Sequence, residues 1–501
     1  MSNVVKYTMN RLKYDVCVIG CGPAGFAAAM RSYDFGNHVC IIEGNRIGGA
    51  GVADGALSSK TMWELSKDFS IANKIDRGYR ASNISVDYEK VRDNVFAAVR
   101  EKEYQIRSQI ETFSKKEGSD KSVTLIEGWG SFSLNKSVLV TKHDGEVVEI
   151  IADNFIIASG SHPRKHPLLE VDGEMIINSN HILKLKKFPR EILIVGAGIV
   201  GCEFATIFAE FGQTKVHLLD SQERVIPFED NDVSDYAAKM LENIGVSIYH
   251  TASLRSIKKH DTHIDVTLDY KDSHTEVISV DTILVSIGRV PSFKRLGLEN
   301  VGIELTQNGL ICTDEECLVN SNIYAAGDIS GHNALVNVAE MEGRFAAKAI
   351  ESKIKFPLRY RNMSTIMFFN PEISSVGLNE KECQKAKIAY KVVFYKHALV
   401  SRAITMRETE GFFKMIVTDE ENPKVLGMRA AGPQSAASIM YIVTLMDHNI
   451  RLGDIMKTVH PHPSMTEGIQ ECIRTLLGKS IFKPEAFPQY ISFKSWKPEE
   501  Q

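Results

Sequence analysis

The 501 residues contain no run of about 18 consecutive apolar side chains, so no helix is expected to span a membrane. Cysteine is scarce. The eight present, at positions 17, 21, 40, 202, 312, 317, 383 and 472, are too scattered for a disulfide framework and read as reduced thiols. With 15 prolines and 35 glycines, the chain is neither collagen-like nor of low complexity. No charge sign dominates: the formal net charge of −4 excludes a general attraction to nucleic acid. Residues 1–13 lack the apolar core of a secretory signal. Their basic start is weakly compatible with organelle import, and the expected location is cytoplasmic. What is present is ordinary for a globular protein: 44% hydrophobic and 24% charged residues. At roughly 150 residues per domain, three or four domains are expected.

An internal repeat organises the chain. In YDVCVIGCGPAGFAAAMRSYDFGNHVCIIE, a strand over 14–19 runs into Gly20, Gly22 and Gly25 as G-x-G-x-x-G. An apolar helix follows and stops at Gly36, and a second strand over 38–42 ends at Glu43. In EILIVGAGIVGCEFATIFAEFGQTKVHLLD, Gly196, Gly198, Gly201 and Gly212 repeat Gly20, Gly22, Gly25 and Gly36 at a constant offset of 176, and the closing acid is Asp220. Each unit carries the dinucleotide fingerprint. The glycines let the backbone approach a pyrophosphate, the helix N-terminus supplies donors, and the acid accepts from a ribose. One such motif is weak; two with full context predict two nucleotide sites exchanging electrons.

Three further strand ends agree with this. NFIIASGS (154–161) contains Ser159 and Gly160, DTILVSIGRVP (281–291) contains Gly288, and IYAAGDI (323–329) contains Asp328. Ligands in open α/β sheets lie beyond the C-terminal strand ends, where Asp328 could grip a flavin polyol.

The order G-x-G-x-x-G, acid, GG…SSK, A-S-G-S, second fingerprint with Glu203, IGR-x-P, AAGD and HPHPSMTE resembles the pyridine nucleotide-disulfide oxidoreductases over about residues 12–480. Within that family the chain is most like dihydrolipoamide dehydrogenase. NPEISSVGLNE, SRA and GFFKMI resemble that enzyme's dimerisation domain. The resemblance implies FAD at the first fingerprint, NAD(P) at the second, and a homodimer with mixed active sites. It also implies flavin contacts at Gly49, Lys60, Gly130, Ser159, Gly160, Asp328, Ala334 and Leu335, and nicotinamide-side contacts at Glu203 and Gly288. Lys60 and Glu203 match the family's ion pair beside the flavin, and His462 and Glu467 match its acid–base pair. Asp220 favours NAD over NADP, because a carboxylate accepts from a 2′-hydroxyl and repels a 2′-phosphate; only Arg224 nearby favours the phosphate. Asn337 stands where the family carries a flavin-side histidine.

The chain departs from the family at GGAGVADGALSSK, residues 48–60, where the family's C-x4-C falls on Gly51 and Ala56. The expectation drawn from this is a chain lacking the redox-active cysteine pair. Dithiol oxidation proceeds by thiolate–disulfide exchange and needs a sulfur. Cys312 and Cys317 form a second C-x4-C, read as ordinary strand and loop cysteines. No metal site is expected.

The expected fold class is α/β, with two Rossmann-like dinucleotide-binding domains and a C-terminal α+β dimerisation domain. Residues 1–165 and 291–360 form the FAD part, 166–290 the NAD(P) part, and 361–501 the interface domain. A polar helix over 85–117 is read as a solvated face, and the aromatic tail 480–501 as lying along a partner subunit. Three readings of function stand. The first is an FAD-dependent NAD(P)H oxidoreductase passing electrons to a small acceptor without a redox disulfide: a quinone, oxygen, or a second nicotinamide as in transhydrogenase. The second is dihydrolipoamide dehydrogenase proper, if Gly51 and Ala56 are engineered substitutions. The third is a non-enzymatic FAD- and NAD-binding redox sensor.

Overall fold

The computed structural model describes residues 10–114, 118–134, 137–307, 309–311, 313–314, 317–354 and 357–499. Cys312 and residues 1–9 lie outside these. The described chain forms two compact units. Among the described residues, the first takes those within 1–65, 85–187 and 287–359, and the second those within 66–84, 188–286 and 360–501.

In the first unit, β1 (Asn10–Ile19), α1 (Pro23–Asp34) and β2 (His38–Glu43) form the expected strand–helix–strand. Then come a single turn, α2 (Gly49–Val52), and the longer α3 (Ala56–Ala72) and α4 (Tyr88–Thr112). The β-meander β3 (Ser122–Leu134), β4 (Ser137–Lys142) and β5 (Val147–Ile157) follows, then the short strands β6 (Ser161–Pro163) and β7 (Ile176–Asn178). Strand β1 pairs in parallel with both β2 and β5, while β4 runs antiparallel between β3 and β5. Alternate β1 residues feed opposite faces of this sheet: Val16 and Val18 pack with α1, and Cys17 and Ile19 pack with the meander. The period-two pattern of a strand thus builds two cores at once.

Helix α4 is not a solvated face throughout. Asp87 caps it through the N–H groups of Glu89 and Lys90, and Tyr88, Val91, Val95, Val99, Ile106 and Ile110 are buried. Spacings near four residues put these side chains on one stripe, and the acids and bases of the other face dominated the sequence reading.

In the second unit the fingerprint repeats as β8 (Glu191–Val195), α5 (Ile199–Glu210) and β9 (Lys215–Leu219). Helix α6 (Asn231–Asn243) leads to β10 (Ser247–Tyr249), then an antiparallel sheet of β11 (Ala252–Lys259), β12 (Ile264–Tyr270) and β13 (Thr275–Val280), and β14 (Thr282–Val285). Strands β10, β9, β8 and β14 lie side by side in parallel. The chain then returns to the first unit with β15 (Arg289–Pro291), β16 (Leu318–Asn320), β17 (Ile323–Ala325) and α7 (Val336–Ile350), where β17 extends the large sheet beside β5.

The C-terminal part carries β18 (Thr365–Met367), β19 (Ile373–Gly377), α8 (Glu380–Lys385), β20 (Tyr390–Lys396), α9 (Ser401–Met406), β21 (Phe412–Thr418), β22 (Val425–Ala431), α10 (Ser435–Asp447), α11 (Leu452–Ile455), α12 (Thr466–Leu476) and β23 (Ile491–Trp496). Six of these strands form one antiparallel sheet in the order β18, β19, β22, β21, β20, β23. Part of the aromatic tail is a strand. It adds an edge strand to its own chain, with Trp496 opposite Tyr390 and stacked on it, ring centroids 5.7 Å apart. The expected fold class is observed, and no helix among the described residues is long and apolar enough to cross a membrane.

Candidate active site

The two fingerprints adopt the same geometry. Gly20 N–H donates to the Ile42 carbonyl at 2.7 Å, and Gly196 N–H to the Leu219 carbonyl at 2.8 Å. Both glycines have positive φ, +109° and +104°. Gly22 and Gly198 start their helices with φ −75° and ψ −174°, and no side chain caps either end. A Cβ on Gly25 would fall 1.9 Å from the Gly20 carbonyl oxygen, and one on Gly201 would fall 1.9 Å from that of Gly196. Such contact admits only glycine.

The two acids are fixed alike. Glu43 accepts from Cys21 N–H at 2.7 Å and Asn45 N–H at 2.8 Å; Asp220 accepts from Ala197 N–H at 2.6 Å and Gln222 N–H at 2.8 Å. Burial raises the Glu43 pKa above its ordinary value, and the N–H donors of Asn45, Cys21 and Gly44 work against that rise. Each carboxylate thus closes the turn that opens its own helix. The open space at Gly22 and Gly198, where a Cβ would meet nothing within 4 Å, leaves room for phosphate oxygens at both uncapped helix starts. The residues fit a dinucleotide at each turn.

Around the first turn, Gly49 approaches Gly22: its Cβ would lie 3.3 Å from the Gly22 Cα. Gly51 sits in α2, where a Cβ would lie 2.5 Å from the ring of Pro23. Ala56 begins α3, and Lys60 follows one turn later on the same helix. Gly130 packs in β3 against Val138 and Ile42, a packing position in the sheet. Ser159 donates to the Ser292 carbonyl at 2.8 Å, and Gly160 has φ +68°. Ala334 and Leu335 lead into α7, with Leu335 at its N-cap and Asn337 in its first turn.

Sequence reading missed a polar cluster here. The Ser161 hydroxyl donates to Asp328, and Arg289 donates to the Ser161 hydroxyl at 2.8 Å and to its carbonyl at 2.7 Å. Glu342, buried in α7, accepts from Gly327 N–H and so fixes the turn that carries Asp328. The signal was the arginine after Gly288; nothing local marked Glu342.

In the second unit, Glu203 is buried in α5 and accepts from Phe368 N–H at 3.1 Å. Arg224, the residue that favoured a 2′-phosphate, is in close ion contact with Asp235. His462 Nδ1 lies 2.8 Å from Glu467 Oε1, and Glu467 Oε2 accepts from Ser464 N–H at 2.8 Å. The His462 side chain is 69% exposed within its own chain.

Residues 14–343 match the pyridine nucleotide-disulphide oxidoreductase family, and residues 363–473 match that family's dimerisation domain. The chain belongs to the pyridine nucleotide-disulphide oxidoreductases. It is similar to a dihydrolipoyl dehydrogenase of Bacillus subtilis, at 30% identity over 94% of this chain and 99% of that protein. It is also similar to the dihydrolipoyl dehydrogenase of Buchnera aphidicola subsp. Schizaphis graminum, at 31% identity over 91% and 94%. Among solved structures it resembles LpdA from Mycobacterium tuberculosis, with TM-score 0.83, 26% identity and coverage of 93% and 100%. The Cu(II) complex of the HOCl-induced flavoprotein disulfide reductase RclA from Escherichia coli gives TM-score 0.81, 25% identity and the same coverage. Members of this family bind FAD and NAD(P)H, and the chain is an FAD-dependent oxidoreductase.

The expectation that the chain lacks a redox-active cysteine pair is corrected. Cys17 and Cys21 lie within the matched region at the first fingerprint, both as free thiols, and the absence of a pair has no support. The expectation weighed only the two aligned positions, whereas any sulfurs that the fold brings into the region count. Cys17 also stands in register with Cys40 across β1 and β2. Burial, and then the Glu43 carboxylate, raises the Cys21 thiol to about 12. What holds is narrower: positions 51 and 56 are Gly and Ala.

Proposed function

We propose that the chain oxidises NAD(P)H and delivers the electron pair to a small acceptor, a quinone or a second nicotinamide, on the side that Gly51 and Ala56 line. The observation that carries this reading is the pair of fingerprints of like geometry, each closed by its own carboxylate. FAD supplies a two-electron carrier able to accept a hydride. Gly20, Gly22, Gly25 and Glu43 hold its adenosine diphosphate part, and Asp328, positioned by Ser161 and Arg289, holds its polyol. Gly49, Gly130, Ser159, Gly160, Ala334 and Leu335 shape the surrounding walls. Lys60 would bring a cation to the bound flavin, and Glu203 is a buried acid of α5. Gly196, Gly198, Gly201, Asp220 and Gly288 receive the nicotinamide nucleotide, NAD in preference to NADP because Asp220 repels a 2′-phosphate and Arg224 is engaged by Asp235. Glu467 fixes the His462 ring through Nδ1, so that Nε2 holds or releases the proton the acceptor needs.

In this reading the protein is a homodimer. The exposed His462 meets the other copy's flavin, and the segment matched as a dimerisation domain forms the interface. Residues 1–165 and 291–360 serve FAD, 166–290 the nicotinamide nucleotide and 361–501 the dimer. The reduced, buried cysteines suit a cytoplasmic setting.

The test is anaerobic reduction of FAD-loaded protein by NADH, followed by a screen of acceptors. Rapid reduction and turnover with quinones or nicotinamide analogues, with dihydrolipoamide at background, supports the reading. Dihydrolipoamide turnover at an ordinary enzymatic rate of ~10 s⁻¹ overturns it. If that turnover disappears in Cys17→Ser or Cys21→Ser, the exchanging sulfurs are assigned to the first fingerprint.

A further inference from the structure

We propose that His260, His263 and Asp265 form a binding site for a divalent transition cation, zinc by preference, on the hairpin that joins β11 to β12. The three residues follow the spacing H-x2-H-x-D and come together at the start of β12. One ligand atom from each lies within 4.8 Å of the other two. Asp265 Oδ2 is 3.0 Å from His260 Nε2, and Asp265 Oδ1 is 3.6 Å from His263 Nε2. A tetrahedral zinc with bonds of about 2.0–2.1 Å has ligand–ligand edges of roughly 3.3 Å. The two separations bracket that edge, so small side-chain rotations suffice to close the site.

The surroundings favour coordination over a simple ion pair. The two imidazoles stack with centroids 4.4 Å apart and planes 10° from parallel, and both present Nε2 to one carboxylate. Two imidazole nitrogens and a carboxylate thus converge on one point, a donor set that suits a divalent transition cation. The other nitrogen of His263, Nδ1, lies 3.4 Å from the Thr262 hydroxyl, the outer contact that fixes which nitrogen faces the metal. Asp265 is hydrogen-bonded by Ser279, its cross-strand partner on β13. All three side chains are about one-third exposed, so water can fill the remaining coordination position. Lys258 stands opposite Asp265 in register, and its charge competes with the metal. A moderate, exchangeable site follows.

The experiment is calorimetric titration of ZnCl2 into FAD-loaded, chelator-stripped protein near neutral pH. One zinc per chain is expected. His260→Ala and His263→Gln, each made singly, should weaken binding by about tenfold or more. His274→Ala, which removes the exposed imidazole paired with Asp272 on the next turn, should leave binding unchanged. NADH-dependent acceptor turnover should be the same in all of these proteins. Absence of saturable uptake below roughly 1 mM zinc overturns the site. So does uptake that His260→Ala and His263→Gln leave intact.

Discussion

Glu467 holds His462 from one side only: its Oε1 lies 2.8 Å from Nδ1, while its Oε2 is occupied by the Ser464 N–H at the turn into α12. Fixing Nδ1 sets the tautomer and aims Nε2 outward. Glu467→Gln, which keeps the shape and removes the charge, should slow acceptors that take up a proton by about 10²-fold. One-electron dyes should be spared. Stopped-flow reoxidation with a quinone and with a one-electron dye separates the two outcomes.

The same pair makes stability depend on pH. Burial works to raise the Glu467 pKa, but the Ser464 N–H and His462 outweigh it, and the carboxyl titrates below its ordinary value. The unfolded chain therefore binds the proton first. The stabilisation is fully present above the ordinary carboxylate range and is lost as pH falls through the lowered folded value. Urea midpoints measured across the acid range should fall there in the wild type, and Glu467→Gln should flatten that part of the curve.

Gly25 and Gly201 face the same obstacle at different sites. A Cβ at either would meet a carbonyl oxygen at 1.9 Å, so each Ala substitution must push helix and strand apart, at about 1–3 kcal/mol. Gly25→Ala should cost bound flavin, read as flavin absorbance per chain. Gly201→Ala should keep the flavin and raise the KM for the nicotinamide nucleotide.

Asp220 and Asp235 should together set cofactor choice. The wild type should react faster with NADH than with NADPH. Asp220→Asn removes the charge that repels a 2′-phosphate, and Asp235→Asn releases Arg224 from its ion contact. The single Asp220 change should narrow the preference by about tenfold, or ~1.4 kcal/mol. The double change should narrow it further. Steady-state kcat/KM ratios for the two nucleotides give the answer.

Lys414 is the buried centre of a charge cluster, with Nζ 2.9 Å from Asp230, 2.7 Å from Asp232 and 2.6 Å from Glu380. Lys414→Met would leave Asp230, itself buried, without its cation. Breaking such a group from one side costs about 3–5 kcal/mol, to be measured by urea unfolding. Adding Asp230→Asn should recover part of that loss.

The sequence by itself determined the doubled fingerprint, the two closing acids and the His462–Glu467 spacing. Each is a local pattern in which glycines, a helix start and a carboxylate interact within a few dozen residues, and steric rules leave little choice of conformation. Tertiary structure alone decided the rest. Glu342 reaches the Gly327 turn from a helix 15 residues on, and Arg289 meets Ser161 across 128 residues. The tail was legible only as aromatic; that β23 pairs with β20 of its own chain, about 100 residues away, needed the fold. Arg224 was readable as a cation, yet only the packing of α6 placed Asp235 against it. Cys17 in β1 and Cys21 just after it were legible in the first fingerprint, but only the folded chain shows Cys17 in register with Cys40 across β1 and β2. Hydrogen bonds and ion pairs between distant segments depend on how sheets and helices stack, and one-dimensional spacing carries no record of that stacking.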